Sequence, residues 1–472
     1  MGELHDLTAL EQGAALRRGE ISPADLVEHY LARIERWSDE LGAFVTVTGD
    51  RARTAARTPV FDPVGTPGPL SGVPTAIKDL NPTAGVRTMF GSALMRDYIP
   101  EISDEMVLRI EAAGMISLGK TNTPEFGSPC YTESDVAPPA VTPYDTRLMA
   151  GGSSGGAATA VAAGLVPVAQ GSDGGGSIRI PASCCGIVGL KPSRGRVSAA
   201  PMYGEVTGLA TGGPLARTVR DAAAFLDVLA GPAVGDPSWA PPTESTFLAA
   251  CDHDPGRLRI ARFIEPVLAD VEVDPECVTA WEDASRLLES LGHEVVDIPA
   301  PMSRDAVPTF VTCWAVLTGL STTSLDAEQR ARLRPLTRWL GERGEAVTGP
   351  EFGLALGEMR RIAAGVLQTI AAYDAVLTPT LASRPLPVGA LRNDDDPAED
   401  FDAQTRFTPW TSMWNVTGSP AVSLPLHWTP DGVPVGVMLG GRPADEAGLL
   451  SLAAQVEAAA PWADRHPPCW EA

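Results

Sequence analysis

Apolar and polar residues along this chain repeat with two periods that take turns. Over residues 1–20 the acids Glu3, Asp6, Glu11 and Glu20 are interspersed with apolar residues as on an amphipathic helix. The run Ile21-Ser22-Pro23-Ala24-Asp25-Leu26 predicts a second helix, with Ser22 as its cap and Pro23 at the first helical position, where a missing N–H costs no hydrogen bond. Residues 52–71 are rich in Pro and Gly and read as a loop. They lead into Gly72-Val73-Pro74-Thr75-Ala76-Ile77, an apolar run of strand type that ends on the charged pair Lys78-Asp79. The small residues of 157–165 predict a tightly packed buried helix, and Val166-Pro167-Val168-Ala169 a strand after it. Residues 231–256 read as a proline-rich connection. Beyond it come a strand at 258–262, a helix over 278–291 and a strand at His293-Glu294-Val295-Val296. A strand at 432–439 and a helix over 445–459 close the chain. Strands alternating with helices imply a layered α/β sheet.

Charge narrows the function. A formal net charge of -23 and a sequence pI near 4.6 weigh against nucleic acid or an anionic membrane as partner, because both would be repelled. The uncharged run 306–320 is shorter than the ~20 residues that span a bilayer, so it reads as a core helix or as the apolar wall of a pocket. The seven cysteines form no CxxC pair and no zinc spacing, and residues 1–20 lack a signal-peptide core. Both observations fit a cytoplasmic protein with reduced thiols and no metal or cofactor.

Candidate chemistry gathers in two glycine-rich stretches, Gly151-Gly152-Ser153-Ser154-Gly155-Gly156 and Gly171-Ser172-Asp173-Gly174-Gly175-Gly176-Ser177. Glycine lets a backbone bend sharply and aim several N–H groups at one point, and a serine there can present its hydroxyl beside those donors. Taken alone, either loop would serve equally to bind phosphate or to let close-packed elements turn. Nucleophilic catalysis needs a base as well. The six histidines all lie outside these stretches, mostly in surroundings that fit surface positions. Lysine is used only at Lys78, Lys120 and Lys191, against 36 basic residues in all. Lysine, unlike arginine, can lose its proton in a buried site.

Five motifs then stand in order: Gly72-Val73-Pro74-Thr75-Ala76-Ile77-Lys78-Asp79, Gly119-Lys120-Thr121-Asn122-Thr123-Pro124-Glu125-Phe126, the first serine loop, Gly175-Gly176-Ser177-Ile178-Arg179-Ile180-Pro181-Ala182-Ser183, and Gly189-Leu190-Lys191-Pro192-Ser193. Over roughly residues 72–200 they resemble the amidase signature family, and weaker likeness extends to both ends. The resemblance implies one large α/β/α domain over 1–472, a central mixed twisted sheet covered by helices. Within it fall N-terminal helices at 1–60, the signature core at 72–200, a variable substrate-side region at 231–345, and C-terminal strands and a helix at 373–472. It also implies a Ser-cisSer-Lys triad. Ser177 is the nucleophile, Ser153 a bridging serine preceded by a cis peptide bond, and Lys78 the base. The N–H groups of Gly174, Gly175, Gly176 and Ser177 form the oxyanion hole. Ser154 supports Lys78 by a hydrogen bond, and Asp173 and Arg179 brace the nucleophile loop as a pair. As a base, Lys78 must be pulled by burial from ~10.4 to ~7–8, at a cost of roughly 4 kcal/mol.

Further family-like patterns place a helix opening within 212–221 and a buried strand at 373–380. The acidic segment 393–402 reads as a mobile surface loop. Cys313, Trp314, Trp410 and Trp414 are taken as pocket residues, which favours bulky neutral or aryl amides. Carbamates and nylon-type oligomers remain alternatives on the same triad, as does a glutamine-hydrolysing amidotransferase A-type subunit. Against that last reading, Ile180 stands where a glutamine is expected. Near Arg147 the sequence departs from the family pattern, which leaves that arginine without an implied role. The expected partner is a small-molecule amide, with a homodimer left open.

Overall fold

The computed structural model describes residues 3–57, 68–203 and 205–471. Its strands are β1 (Phe44–Val47), β2 (Pro74–Lys78), β3 (Ile116–Thr121), β4 (Val168–Asp173), β5 (Val188–Lys191), β6 (Thr211–Ala216), β7 (Arg259–Arg262), β8 (Glu294–Asp297), β9 (Ala375–Pro379), β10 (Ala421–Trp428) and β11 (Pro434–Gly441). All eleven join one sheet in the order β1-β3-β2-β4-β6-β5-β10-β11-β9-β7-β8. Pairing is parallel between β2 and β3, β2 and β4, β7 and β8, and β7 and β9, and antiparallel elsewhere, so the sheet is mixed.

Side chains alternate across a strand, and the alternation here feeds two apolar cores. Val168 joins one core, with Phe225, Trp281 and Leu450 from the helices Val219–Leu229, Pro275–Ser290 and Glu446–Ala459. Its neighbour Ala169 joins the other, with Leu26, Ala158 and Ala182 from the helices Pro23–Leu41, Gly155–Ala162 and Arg179–Cys185. Helices thus cover both faces, as the sequence predicts. Among the described residues no helix is long and apolar enough to cross a membrane.

Pro23–Leu41 starts where the sequence places it. The Asp25 N–H donates to Ser22 Oγ, and the Ser22 N–H donates back to the Asp25 carboxylate. Three expectations need correction. A helix, Gly49–Arg57, occupies the first part of the 52–71 loop, and residues 58–67 lie outside the described residues. The helix expected to open within 212–221 does so at Val219, capped by Thr218, while Gly212, Gly213 and Pro214 belong to β6. Glycine and proline disfavour a strand locally, yet burial between β4 and β5 holds this one in register, with Pro214 opposite Gln170. A short helix, Phe247–Ala250, interrupts the 231–256 connection. The acidic stretch 393–402 is no loose loop, for the helix Pro397–Phe407 runs through it. Asp400 is buried there, accepting hydrogen bonds from Tyr131 Oη (2.7 Å), Gln404 Nε2 (2.6 Å) and the Asn393 N–H (3.0 Å). Tyr131 lies far away in the chain, so a local count of charges cannot register it.

Candidate active site

Strands β2 and β4 lie side by side and parallel, with Ala76 opposite Ala169, so Lys78 and Ser172 reach the same carboxyl edge of the sheet. That edge is where open α/β sheets place their ligands. Lys78 is fully buried there. Its N–H donates to Gln170 Oε1 (3.0 Å), and its Nζ contacts Ser153 Oγ (2.8 Å), Ser172 Oγ (3.0 Å) and Ser172 O (3.4 Å). Burial pulls the amine down to about 7 against the opposing charge of Asp173.

The first serine loop precedes the helix Gly155–Ala162, and its Gly152–Ser153 peptide bond is cis. Side chains are excluded at Gly152, where a Cβ would meet the Tyr131 backbone at 2.8 Å. The Ser154 N–H donates to Ser177 O (3.1 Å), which ties the two loops together. Ser154 Oγ does not support Lys78 directly. It donates to Ser172 O (3.1 Å) and accepts from the Ser172 N–H (3.3 Å), so Ser172, and not Ser154, joins Ser153 in contact with the amine. Ser172 lies in the quoted loop, but a strand residue gives no local sign of which strand it faces.

Asp173 and Arg179 form a wholly buried, two-pronged ion pair (Nη2–Oδ1 2.9 Å, Nε–Oδ2 2.9 Å). Burial alone would raise the Asp173 carboxyl, but the Arg179 charge and hydrogen bonds hold it well below the usual carboxylate range. Arg179 also donates to Thr411 O (2.7 Å) and Asn415 Oδ1 (2.8 Å), pinning the loop to the C-terminal segment. The Gly176 N–H donates to Asp173 Oδ1 (2.7 Å) and is therefore occupied, which removes it from the expected oxyanion donors. Gly174, Gly175 and Ser177 remain. Gly176 has φ 132°, and a Cβ there would come within 2.6 Å of the Thr411 hydroxyl, so glycine is required on both counts.

The other two lysines are buried as well. Lys120 donates to Asn81 O (2.6 Å) and Thr88 Oγ1 (2.9 Å), with Asp79 at 3.6 Å; Lys191 donates to Pro192 O (2.8 Å). Burial lowers Lys120 to about 8, and burial with the nearby Arg179 charge lowers Lys191 to about 7. Of the six histidines, expected mostly at the surface, two are buried: His5 lies against Trp470, and His293 accepts from the Leu258 N–H. Glu3, His5 and His29 bring three ligand-type atoms within 4.8 Å, but His5 Nδ1 and His29 Nε2 already hydrogen-bond each other at 3.0 Å. Arg147 is exposed and pairs with its neighbour Asp145.

Ser177 opens on two cavities. The first, about 590 Å³, is walled by apolar groups including Ile180, Leu268, Phe310, Trp314 and Phe401. The second, about 820 Å³, is lined by Ser153, Ser172, Gly174, Glu205, Leu209 and Trp314 among others. Of the four expected pocket residues only Trp314 lines them, its Nε1 donating to Ser128 Oγ (3.3 Å). Cys313 points into a small core cluster on the same helix, Val307–Thr322. Trp410 and Trp414 are fully buried against Met438, with Trp410 Nε1 donating to Glu265 O (3.1 Å). Large aromatic residues near a site are as useful for packing as for lining it, and sequence cannot separate the two. Phe310 and Glu205 were missed; Phe310 sits one helical turn before Trp314 and stacks on it, a spacing that could have paired them.

Residues 25–450 match the model of the Amidase family, and the chain belongs to that family, with the amidase signature fold. The 6-aminohexanoate-cyclic-dimer hydrolase of Paenarthrobacter ureafaciens is 34% identical, with 97% of this chain and 96% of that protein covered. A solved structure of 6-aminohexanoate cyclic dimer hydrolase complexed with substrate superposes with a TM-score of 0.92 at 33% identity, covering 99% of this chain and 100% of the other. A bacterial aryl acylamidase of the amidase signature family superposes at 0.88 with 26% identity and 98% of each chain covered.

Proposed function

We propose that this protein hydrolyses a carboxylic amide through an acyl-enzyme at Ser177, with Ser153 and Lys78 as its proton relay. The observation that carries the reading is a buried amine, drawn down to about 7, placed 2.8 Å from a serine hydroxyl that opens on the same cavity as Ser177. In its uncharged form Lys78 Nζ accepts the Ser153 proton while Ser153 Oγ accepts that of Ser177. Ser177 Oγ then bonds to the carbonyl carbon. The oxyanion faces the N–H groups of Gly174, Gly175 and Ser177. Collapse breaks the C–N bond as the proton returns through Ser153 to the leaving nitrogen. Water, deprotonated by the same relay, releases the acid. Ser153 and Ser177 share no hydrogen bond in this arrangement; such contacts often close only around a substrate.

The apolar first cavity suits an apolar or aryl acyl group. The likeness to 6-aminohexanoate-cyclic-dimer hydrolase favours a second reading, cleavage of nylon-type aliphatic amides. Carbamates fit the same chemistry, since a serine acyl-enzyme forms from either. A small-molecule partner, with no nucleic acid, accords with the charge, and seven unpaired thiols accord with a cytoplasmic setting. The deciding experiment assays hydrolysis of anilides, aliphatic amides, nylon oligomers, carbamates and free glutamine, alongside labelling by a fluorophosphonate. Label on Ser177 with turnover of an apolar amide is expected. Turnover that survives intact in Ser177→Ala would end the proposal, and glutamine as the preferred substrate would move it to the amidotransferase class.

A further inference from the structure

We infer that the leaving half of the amide is a cationic amine, and that Glu205 selects it. This rests on the reaction proposed above, because that reaction orients the substrate. Ser153, which returns the proton to the departing nitrogen, lines the second cavity and not the first. The amine therefore leaves on the second side and the acyl group fills the apolar one.

The two walls differ in kind. Among the described residues lining either cavity, Glu205 is the one carboxylate, ammonium, guanidinium or imidazole, and it stands on the leaving side; the Cys130 thiol on the first side is pushed up by burial. It is held in place: Oε1 accepts from the Thr207 N–H (2.9 Å) and from the Thr207 hydroxyl, while Oε2 takes only a long bond from the Ala210 N–H (3.4 Å). Oε2 thus keeps acceptor capacity for an incoming donor. Among the described residues no ion pair engages Glu205. Arg194, the guanidinium near enough to feel this carboxylate, gives its hydrogen bonds to the carbonyls of Gly208, Asn415 and Val416. A half-buried carboxylate that no ion pair engages, on the wall of a cavity, is complementary to an ammonium or guanidinium. The net charge of -23 would also raise the concentration of cations near the entrance. The substrate class that follows is the amide of an apolar acid with a diamine, or with another amine carrying a second basic group.

The test compares N-(4-aminobutyl)hexanamide with its uncharged counterpart N-pentylhexanamide, using hexananilide to report amidase activity independently. The wild-type protein is expected to favour the cationic amide about 10- to 100-fold in kcat/KM, mainly through KM, the range of one charge-assisted hydrogen bond. In Glu205→Gln that ratio should fall close to one, whatever the absolute rates. Because the wild-type comparison requires no variant, it decides by itself if Glu205→Gln does not fold. Equal kcat/KM for the two amides in wild type, or a preference that survives in Glu205→Gln, overturns the inference. If hexananilide is cleaved in those cases, amide hydrolysis stands while the selectivity falls. If none of the three is cleaved, the proposed reaction falls with it.

Discussion

Lys78 Nζ lies 2.8 Å from Ser153 Oγ, although 75 residues separate the two in the chain and neither is appreciably exposed. The contact puts a proton acceptor at the inner end of the relay. With burial drawing the amine down to about 7, kcat/KM should rise with pH through about 7 as Lys78 becomes neutral. Lys78→Arg should lose this limb together with roughly 10³-fold or more of the rate, since a guanidinium stays charged and cannot accept the proton. A pH–rate profile of both proteins measures it. An unchanged acid limb in the variant would assign that titration elsewhere.

The ion pair beneath the nucleophile loop makes a different prediction. Asp173→Ala strands Arg179 as a buried charge and frees the Gly176 N–H, so unfolding free energy should drop by about 3–5 kcal/mol. Urea denaturation followed by circular dichroism tests this, and a loss below about 1 kcal/mol, the scale of an exposed pair, would contradict the buried geometry.

Two tryptophans from the same sequence reading should behave differently. Trp314→Ala enlarges both cavities and should raise KM for an apolar anilide by about tenfold, the scale of losing one large apolar contact. Trp410→Ala leaves a void in a packed core and should cost about 3–5 kcal/mol of stability. Thermal melts and steady-state kinetics on both variants separate the two roles; matching profiles would refute the assignment.

Lys191 tests burial of an amine outside the relay. Its value of about 7 lies below the ordinary 10.5, so between these two pH values the folded state holds fewer protons than the unfolded one. Its contribution to stability therefore improves as pH rises through that window. Lys191→Met removes the titrating group, and the stability advantage of the variant should shrink by roughly 1 kcal/mol per pH unit above pH 7. Urea midpoints at pH 7 and pH 9 give the difference. A constant gap would show that the amine is not desolvated.

What the sequence determined by itself was local. The cap at Ser22, the strand ending at Lys78, the small-residue helix behind Ser153-Ser154 and the turn bearing Ser177 each depend on residues a few positions apart, so periodicity and motif carried them. The scarcity of lysine pointed to Lys78, and all three lysines proved to be buried. Only the tertiary structure decided that Ser172 joins Ser153 at Lys78, that Asp400 is buried against Tyr131, and which tryptophan meets the cavities. These depend on side chains that converge from strands and helices tens to hundreds of residues apart. Hydrophobicity and charge counted along the chain register that a residue is apolar or acidic; they hold no information about what stands opposite it once the sheet has closed.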